Sequence, residues 1–194
     1  ADFQEPFIEL AHQGDQPMRN LALILLLLTS GLAWAEEPEL GPLIEGYGPT
    51  YLISDKDVAL PKDQHYKAVF DLADYAGAPE SLNRSLESVA RFLNMHVRNG
   101  VKPEAMDLAV VVHGAAVQSL LNNDAYRQRH GQDNPSLDLL TKLHDAGVQV
   151  YVCGQSLAFR GVAKTELAEP VQLSLSAMTM LTVLQSQGYA LLPW

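Results

Sequence analysis

The run MDLAVVVHG (106–114) is apolar without a break from Leu108 to Val112 and ends in His113-Gly114. An apolar run this short is typical of a strand in a parallel sheet, because helices cover both faces of such a sheet and leave no side of the strand to water. The stretch therefore predicts a buried strand in a protein that alternates strands with helices.

The segments on either side continue this alternation. Strands are predicted at YKAVFDLA (66–73), VQVYVCGQS (148–156), VQLSLS (171–176) and Tyr189–Leu192. Helices are predicted from Pro79 to Gly100, over 115–121, from Asn134-Pro135 to Gly147 and over 177–187, the last with Ser176 as its cap, and a short helix or turn is predicted over 157–164. The polar segment 122–133 is predicted to be a loop. Strands that alternate with helices favour right-handed crossovers, and hence an α/β fold with a mostly parallel sheet and helices on both faces.

The region before the first strand has a different composition. Met18-Arg19-Asn20, the apolar stretch 21–32 and Ala33-Trp34-Ala35 are the three parts of a secretory signal peptide. The apolar stretch is shorter than the roughly 20 residues of a membrane span, although an uncleaved anchor is the alternative. We expect 1–17 to be an artefact upstream of the initiator Met18, 18–35 to be a signal peptide, 36–65 to be an irregular Pro/Gly-rich arm and 66–194 to be one α/β domain. The expected location is the periplasm, with no membrane association after cleavage.

Charge and cysteine content exclude several classes of function. The formal net charge is −10 without a basic block, which argues against nucleic acid and anionic membranes as partners. A single cysteine excludes an intramolecular disulfide, a Cys-x-x-Cys redox centre and a structural zinc site. Glycine-rich nucleotide motifs and metal-ligand spacings of histidine are also missing, so no cofactor and no metal are predicted.

Two predicted strands end in residues that can carry chemistry. His113-Gly114 follows one strand, and Cys153-Gly154-Gln155 ends another. In open α/β sheets, sites form beyond the carboxyl ends of the strands. A helix start after Cys153 favours the thiolate and lowers the thiol pKa, and a nearby imidazole would help further. The alternative is that Cys153 and His113 are structural strand-end residues. Within the predicted loop, Arg127, Arg129 and His130 either bind a small anion or are simply solvated.

The same residues resemble a known family. His113-Gly114, Asn134-Pro135, YVCGQSLA (151–158), SLSAMTML (174–181) and QSQGYALLP (185–193) are similar to the DsrE/DsrF-like family, and the run around Cys153 is the most specific. The resemblance implies a three-layer α/β/α sandwich with a five-stranded, largely parallel sheet, and a homo-oligomer, commonly a trimer or hexamer. It also implies that Cys153 lies where relatives carry sulfur as a persulfide. The arm and the signal peptide resemble those of exported members.

Three functional hypotheses follow. The first is a periplasmic thiol-based sulfur carrier or sulfurtransferase-like protein, with Cys153 as the persulfide acceptor and His113, Gly114, Gly154 and Gln155 as binding residues. The second is a non-catalytic homo-oligomeric binding protein for a small anion or sulfur compound. The third is a purely structural oligomer. For the expected homo-oligomer, the apolar end Leu191–Trp194 offers anchor residues.

Export is expected to remove residues up to Ala35, because Ala33-Trp34-Ala35 follows the apolar stretch as a cleavage site does. N-terminal sequencing of the periplasmic protein should begin at Glu36. A periplasmic product that begins at Ala1 or Met18 would contradict this.

Overall fold

The computed structural model describes residues 37–61, 63–75 and 77–193, and a five-stranded sheet lies at its centre. The expected signal peptide and the segment 1–17 lie outside the described residues. The spatial order of the strands is β4-β3-β2-β1-β5, and all neighbouring strands are parallel. The strands are β1 (Tyr66–Leu72), β2 (Met106–Val112), β3 (Gln149–Cys153), β4 (Val171–Ser174) and β5 (Ala190–Pro193).

Five α-helices connect these strands within the described residues. Their starts follow ordinary capping chemistry: the Asn83 side chain accepts hydrogen bonds from the N–H groups of Ser85 and Leu86, and Ser176 caps the last helix as predicted. The helices are α1 (Arg84–Arg98), α2 (Asn123–His130), α3 (Leu137–Asp145), α4 (Gly154–Arg160) and α5 (Ala177–Ser186), with 3₁₀ turns at Pro103–Ala105, Gly114–Leu120 and Lys164–Glu166.

Side chains of the central strand β2 alternate between two cores. Leu108, Val110 and Val112 point into the larger core, with apolar residues of α1, α3 and the 3₁₀ turn Gly114–Leu120. Ala109 and Val111 point the other way, into a smaller core that α5 covers. The fold is therefore the expected α/β/α sandwich. Because helices cover both faces of the sheet, the sequence of β2 is apolar without interruption from Leu108 to Val112.

The polar segment 122–133 contains the helix α2 (Asn123–His130), so the prediction of a loop there is wrong. The Asn122 side chain accepts a hydrogen bond from the Ala125 N–H at 2.9 Å, and Gly131 ends α2 in the left-handed conformation at φ 75°. Only Ala125 and Tyr126 of this helix are buried, which is too few to produce a visible apolar period.

Three other helices begin away from their predicted starts. Helix α1 begins at Arg84, after its cap Asn83, instead of near Pro79. Helix α3 begins at Leu137, because the Asn134 amide donates to the carbonyls of Ser119 and Leu121 and so fixes the preceding loop. Helix α4 begins at Gly154, directly after Cys153, instead of at residue 157.

The segment 37–65 lies along α1 and carries no helix in its described part. Its backbone is held by Asn94, which is fully buried. The Asn94 carboxamide oxygen accepts from the N–H groups of Leu43 and Ile44, and its nitrogen lies within hydrogen-bond distance of the carbonyls of Ile44, Tyr47 and Gly48. One buried side chain thus replaces the regular secondary structure that this segment lacks.

Replacing Asn94 with alanine leaves the backbone N–H groups of Leu43 and Ile44 without their acceptor in a buried place. We expect the free energy of unfolding to fall by ~2–4 kcal/mol, measured by urea denaturation, and proteolysis to begin in 37–60. Asn99→Ala is the control: its exposed side chain donates to Met95 O, so a change of about 0.5 kcal/mol or less is expected. Equal losses in the two variants would contradict the assigned role of Asn94.

Candidate functional site

The carboxyl ends of four strands place polar side chains on the sheet face that α5 covers. The register pairs Val112 with Val152 and Cys153 with Ser174. Paired residues of parallel strands share a face, and successive residues alternate between faces. His113 continues β2 with extended backbone, so its side chain and that of Cys153 lie on the same face of neighbouring strands. Neighbouring strands are about 4.8 Å apart.

The His113 side chain hydrogen-bonds Asp71, which lies near the carboxyl end of the neighbouring strand β1. Its Nε2 lies 2.9 Å from Asp71 Oδ1, and each side chain is between a quarter and a third exposed. The His113 backbone N–H donates to Leu72 O at 2.9 Å, and this hydrogen bond holds the His113 backbone beside β1. Asp71 was not predicted as a site residue. The available signal was that it is the one acid within an apolar strand, on the same face as His113.

The Cys153 thiol is nearly enclosed: the residue is 5% exposed, less than its strand-end position suggested. Burial raises the pKa of the thiol. Hydrogen bonds from the Ser156 hydroxyl and from the backbone N–H groups of Ala177, Ser156 and Gln155 outweigh burial and hold the pKa below its ordinary value. The direction agrees with the sequence-based expectation. These donors come from the first turn of α4 and the first residue of α5, so two helix starts converge on one sulfur.

Ser156 connects the two strand ends. Its Oγ accepts a hydrogen bond from the Gly114 N–H at 3.1 Å. A hydroxyl that accepts from one side is oriented to donate from the other, which here is toward Cys153. Ser156 was not predicted as a site residue, because a serine three residues after a cysteine resembles ordinary helix composition. Gly114 was predicted as a binding residue, whereas its N–H is engaged within the protein.

Both glycines of the site are required by close backbone contacts. Gly114 has φ 54°, and a Cβ there would lie 2.7 Å from Ala73 O. A Cβ on Gly154 would lie 2.7 Å from Ser174 O and 3.2 Å from Leu175 O. Gln155 contributes its backbone N–H to the thiol, while its side chain is exposed and its Nε2 lies 3.5 Å from Leu175 O.

The structure thus brings Cys153, Gly154 and Gln155 together and joins them to Gly114 through Ser156. It holds His113 on the same face, paired with Asp71. The other candidate group does not form an anion site: Arg127 pairs with Asp124 and Asp133, and Arg129 pairs with Glu166. Among residues 37–61, 63–75 and 77–193, no His, Cys, Asp and Glu side chains cluster as metal ligands. No helix in the same part of the chain has the length and apolarity to cross a membrane.

Comparison with known proteins gives one family and two solved structures. The model of the DsrE/DsrF-like family matches residues 67–194. A protein of unknown function, MTH1491 from Methanobacterium thermoautotrophicum, is 20% identical, with a TM-score of 0.49, and the match covers 66% of this chain and 99% of that one. The ychN protein from E. coli is 21% identical over the same shares, also with a TM-score of 0.49. No curated protein matches the sequence.

Replacing Ser156 with alanine removes the side-chain donor to the thiolate and should raise the thiol pKa. Since alkylation requires the thiolate, iodoacetamide should react more slowly with the variant below the pKa, and the rate profile should shift toward higher pH. Ser186→Ala is the control, because the Ser186 hydroxyl donates to Val183 O within α5. An unchanged profile in Ser156→Ala would refute the role assigned to the hydroxyl.

Proposed function

Because the chain belongs to the DsrE/DsrF-like family, which is associated with sulfur relay, we propose that it is a periplasmic thiol-based sulfur carrier or sulfurtransferase-like protein. Cys153 is the persulfide acceptor in this proposal. The periplasmic location rests on the signal-peptide pattern of 18–35, which lies outside the described residues.

The observation that carries the proposal is the set of donors around the thiol. A cysteine with only a structural role is stable as a neutral thiol in an apolar place, where burial raises the pKa. Here the donors of Ser156, Ala177 and Gln155 outweigh burial and lower the pKa instead. Stabilised thiolate character is what a cysteine nucleophile needs.

The chemistry balances without an added oxidant. The Cys153 thiolate attacks the outer sulfur of a sulfane donor, forming a new S–S bond while the donor's S–S bond breaks and its leaving group departs with the electron pair. In the return step an acceptor thiolate attacks the outer sulfur of the Cys153 persulfide, and Cys153 leaves as a thiolate. The donors that lower its pKa stabilise that leaving group. The same contacts thus serve loading and unloading.

The surroundings of the thiol suit a small, anionic sulfur compound. Because Cys153 is only 5% exposed, a small sulfur compound can reach its thiol more easily than a bulky donor can. His113 lies on the same face, about one-quarter exposed, and when protonated it can attract the negative end of the donor while Asp71 holds its ring. The exposed Gln155 side chain is a further polar contact at the rim.

The enclosure also supports a second candidate, a non-catalytic binding protein for a small anion or sulfur compound. Such a protein would use His113 and Gln155 to hold its ligand and would leave Cys153 unmodified. The two functions differ in one measurable respect, which is whether a sulfur atom becomes covalently attached to Cys153.

Incubation with a small sulfane donor such as thiosulfate or an organic persulfide should add about 32 Da, one sulfur atom, to Cys153, detected by intact-mass and peptide mass spectrometry. Cys153→Ser should abolish the addition while leaving the circular dichroism spectrum unchanged, because serine is close to cysteine in size. Ser186→Ala is the control that should load normally.

Failure of the wild-type protein to load with either donor, together with a thiol that resists alkylation until the protein is denatured, would overturn the carrier function. The binding-protein function would then be favoured.

A further inference from the structure

The irregular arm, described over 37–61, and helix α1 enclose a groove on the side of the sheet opposite to the thiol. The groove consists of two neighbouring cavities of about 200 Å³ and about 470 Å³, which share Tyr51, Ile53 and Met95 as walls. We call these two cavities together the arm groove. Apolar side chains of α1 pack into the larger core, whereas Cys153 lies in the smaller one. The arm groove is therefore separate from the candidate site.

The walls of the arm groove are apolar and open to water. Tyr51 and Ile53 are each more than half exposed, and Met95 on the facing side of α1 is 42% exposed. Exposed apolar side chains that lie together mark interaction sites, whereas single ones need no explanation. Apolar walls with a few polar groups are also the usual composition of a small-molecule site. The arm groove therefore has the surface of a site for a ligand with an apolar body.

The charge at the arm groove is opposite in sign to that of the chain. Among the described residues that line its two cavities none is acidic, although Asp and Glu outnumber Lys and Arg in the chain by 23 to 13. Lys56 lines the smaller cavity and Arg91 lines the larger one. Neither forms an ion pair with a carboxylate in the described part of the chain. Two unpaired cations beside apolar walls favour an anionic ligand.

His96 adds a fixed polar atom to the smaller cavity. The residue lines this cavity and is only 7% exposed. Its Nδ1 lies 2.8 Å from Phe92 O, which can only accept, so Nδ1 carries a proton and donates. Its Nε2 has no hydrogen-bond partner among the described residues. The rings of Phe92 and Tyr66 hold the imidazole in place, at centroid distances of 4.0 Å and 4.6 Å. Buried polar groups ordinarily have a partner, so the unpaired nitrogen indicates a place for a ligand atom.

We propose that the arm groove binds a carboxylate with an apolar tail, such as a medium-chain fatty acid. The carboxylate lies at the smaller cavity, between Lys56 and His96. Lys56 Nζ donates to Ile53 O at 2.9 Å, and an ammonium group has two further N–H groups for the ligand. His96 Nε2 is the second polar contact, either as an imidazolium donor or as the acceptor of a carboxylic acid proton.

The apolar tail lies along α1 in the larger cavity. Met95 and Pro49 are its apolar contacts there, and the carbon stem of Arg91 lies at the far end. From Asn99, which lines the smaller cavity, to Arg91 the helix rises about 12 Å, which suits an alkyl chain of medium length. Both parts of the ligand are therefore accommodated: the head by the polar atoms of one cavity and the tail by the apolar walls of the other.

Isothermal titration calorimetry of the purified protein with decanoate tests the proposal. Decanoate should bind saturably at one site per chain. Decanol should bind about 10-fold more weakly because it lacks the charge, and acetate should not bind because it lacks the tail. Lys56→Gln should raise the dissociation constant for decanoate about 10-fold and leave that for decanol unchanged. Lys164→Gln is the matched control: it changes an exposed lysine outside the arm groove and should alter neither constant.

Hydrogen exchange of the wild-type protein gives a second measurement that needs no variant. Decanoate should protect amides of 50–60 and 92–99 and leave those of 153–160 unchanged. Absence of saturable binding, equal affinities for decanoate and decanol, or equal losses in Lys56→Gln and Lys164→Gln would overturn the proposal. Sulfur loading of Cys153 should proceed equally with and without decanoate, so this proposal and the proposed function can fail separately.

Discussion

The parallel register of β1, β2 and β3 is the constraint on which the candidate site depends. Because the three strands run the same way and their carboxyl ends are level, Asp71, His113 and Cys153 come to one edge and one face without any contact between distant loops. A shift of one residue in β3 would turn Cys153 toward the larger core and remove it from the donors of α5. The apolar side chains of β2 therefore fix both the fold and the position of the thiol on β3.

Cys153 is the point where burial and hydrogen bonding oppose each other. The near-complete enclosure of its thiol favours the neutral form, and it is outweighed only because donors from α4 and α5 reach the sulfur from two directions. That convergence requires close backbone packing, since Gly154 leaves no room for a Cβ against Ser174 O, and Gly114 leaves none against Ala73 O. The two glycines thus help to lower the pKa of the thiol, because their close backbone packing brings the hydrogen-bond donors near the sulfur.

The sequence predicted what local patterns control. Strand positions, helices on both faces, the Ser176 cap and the placement of Cys153 and His113 at strand ends all follow from apolar runs and capping residues. It did not predict α2, because two buried side chains, Ala125 and Tyr126, make no recognisable period. It also missed Asp71 and Ser156. Their roles come from pairing across strands and from the Gly114 N–H, relations between residues more than 40 positions apart that no local pattern contains.

One loop links the thiol to the surface of the domain. The residues at the junction of β4 and α5 approach Gly154 closely, contribute the Ala177 N–H to Cys153, and present Leu175 and Met178 outward. Their backbone is held by the Ser174 hydroxyl, which donates to Val152 O at 2.9 Å, and by the Ser176 cap on Thr179 N–H at 3.0 Å. A displacement of this loop would break these bonds and move a donor of the thiolate. The acidity of Cys153 therefore depends on the position of the same four residues, Ser174 to Ala177.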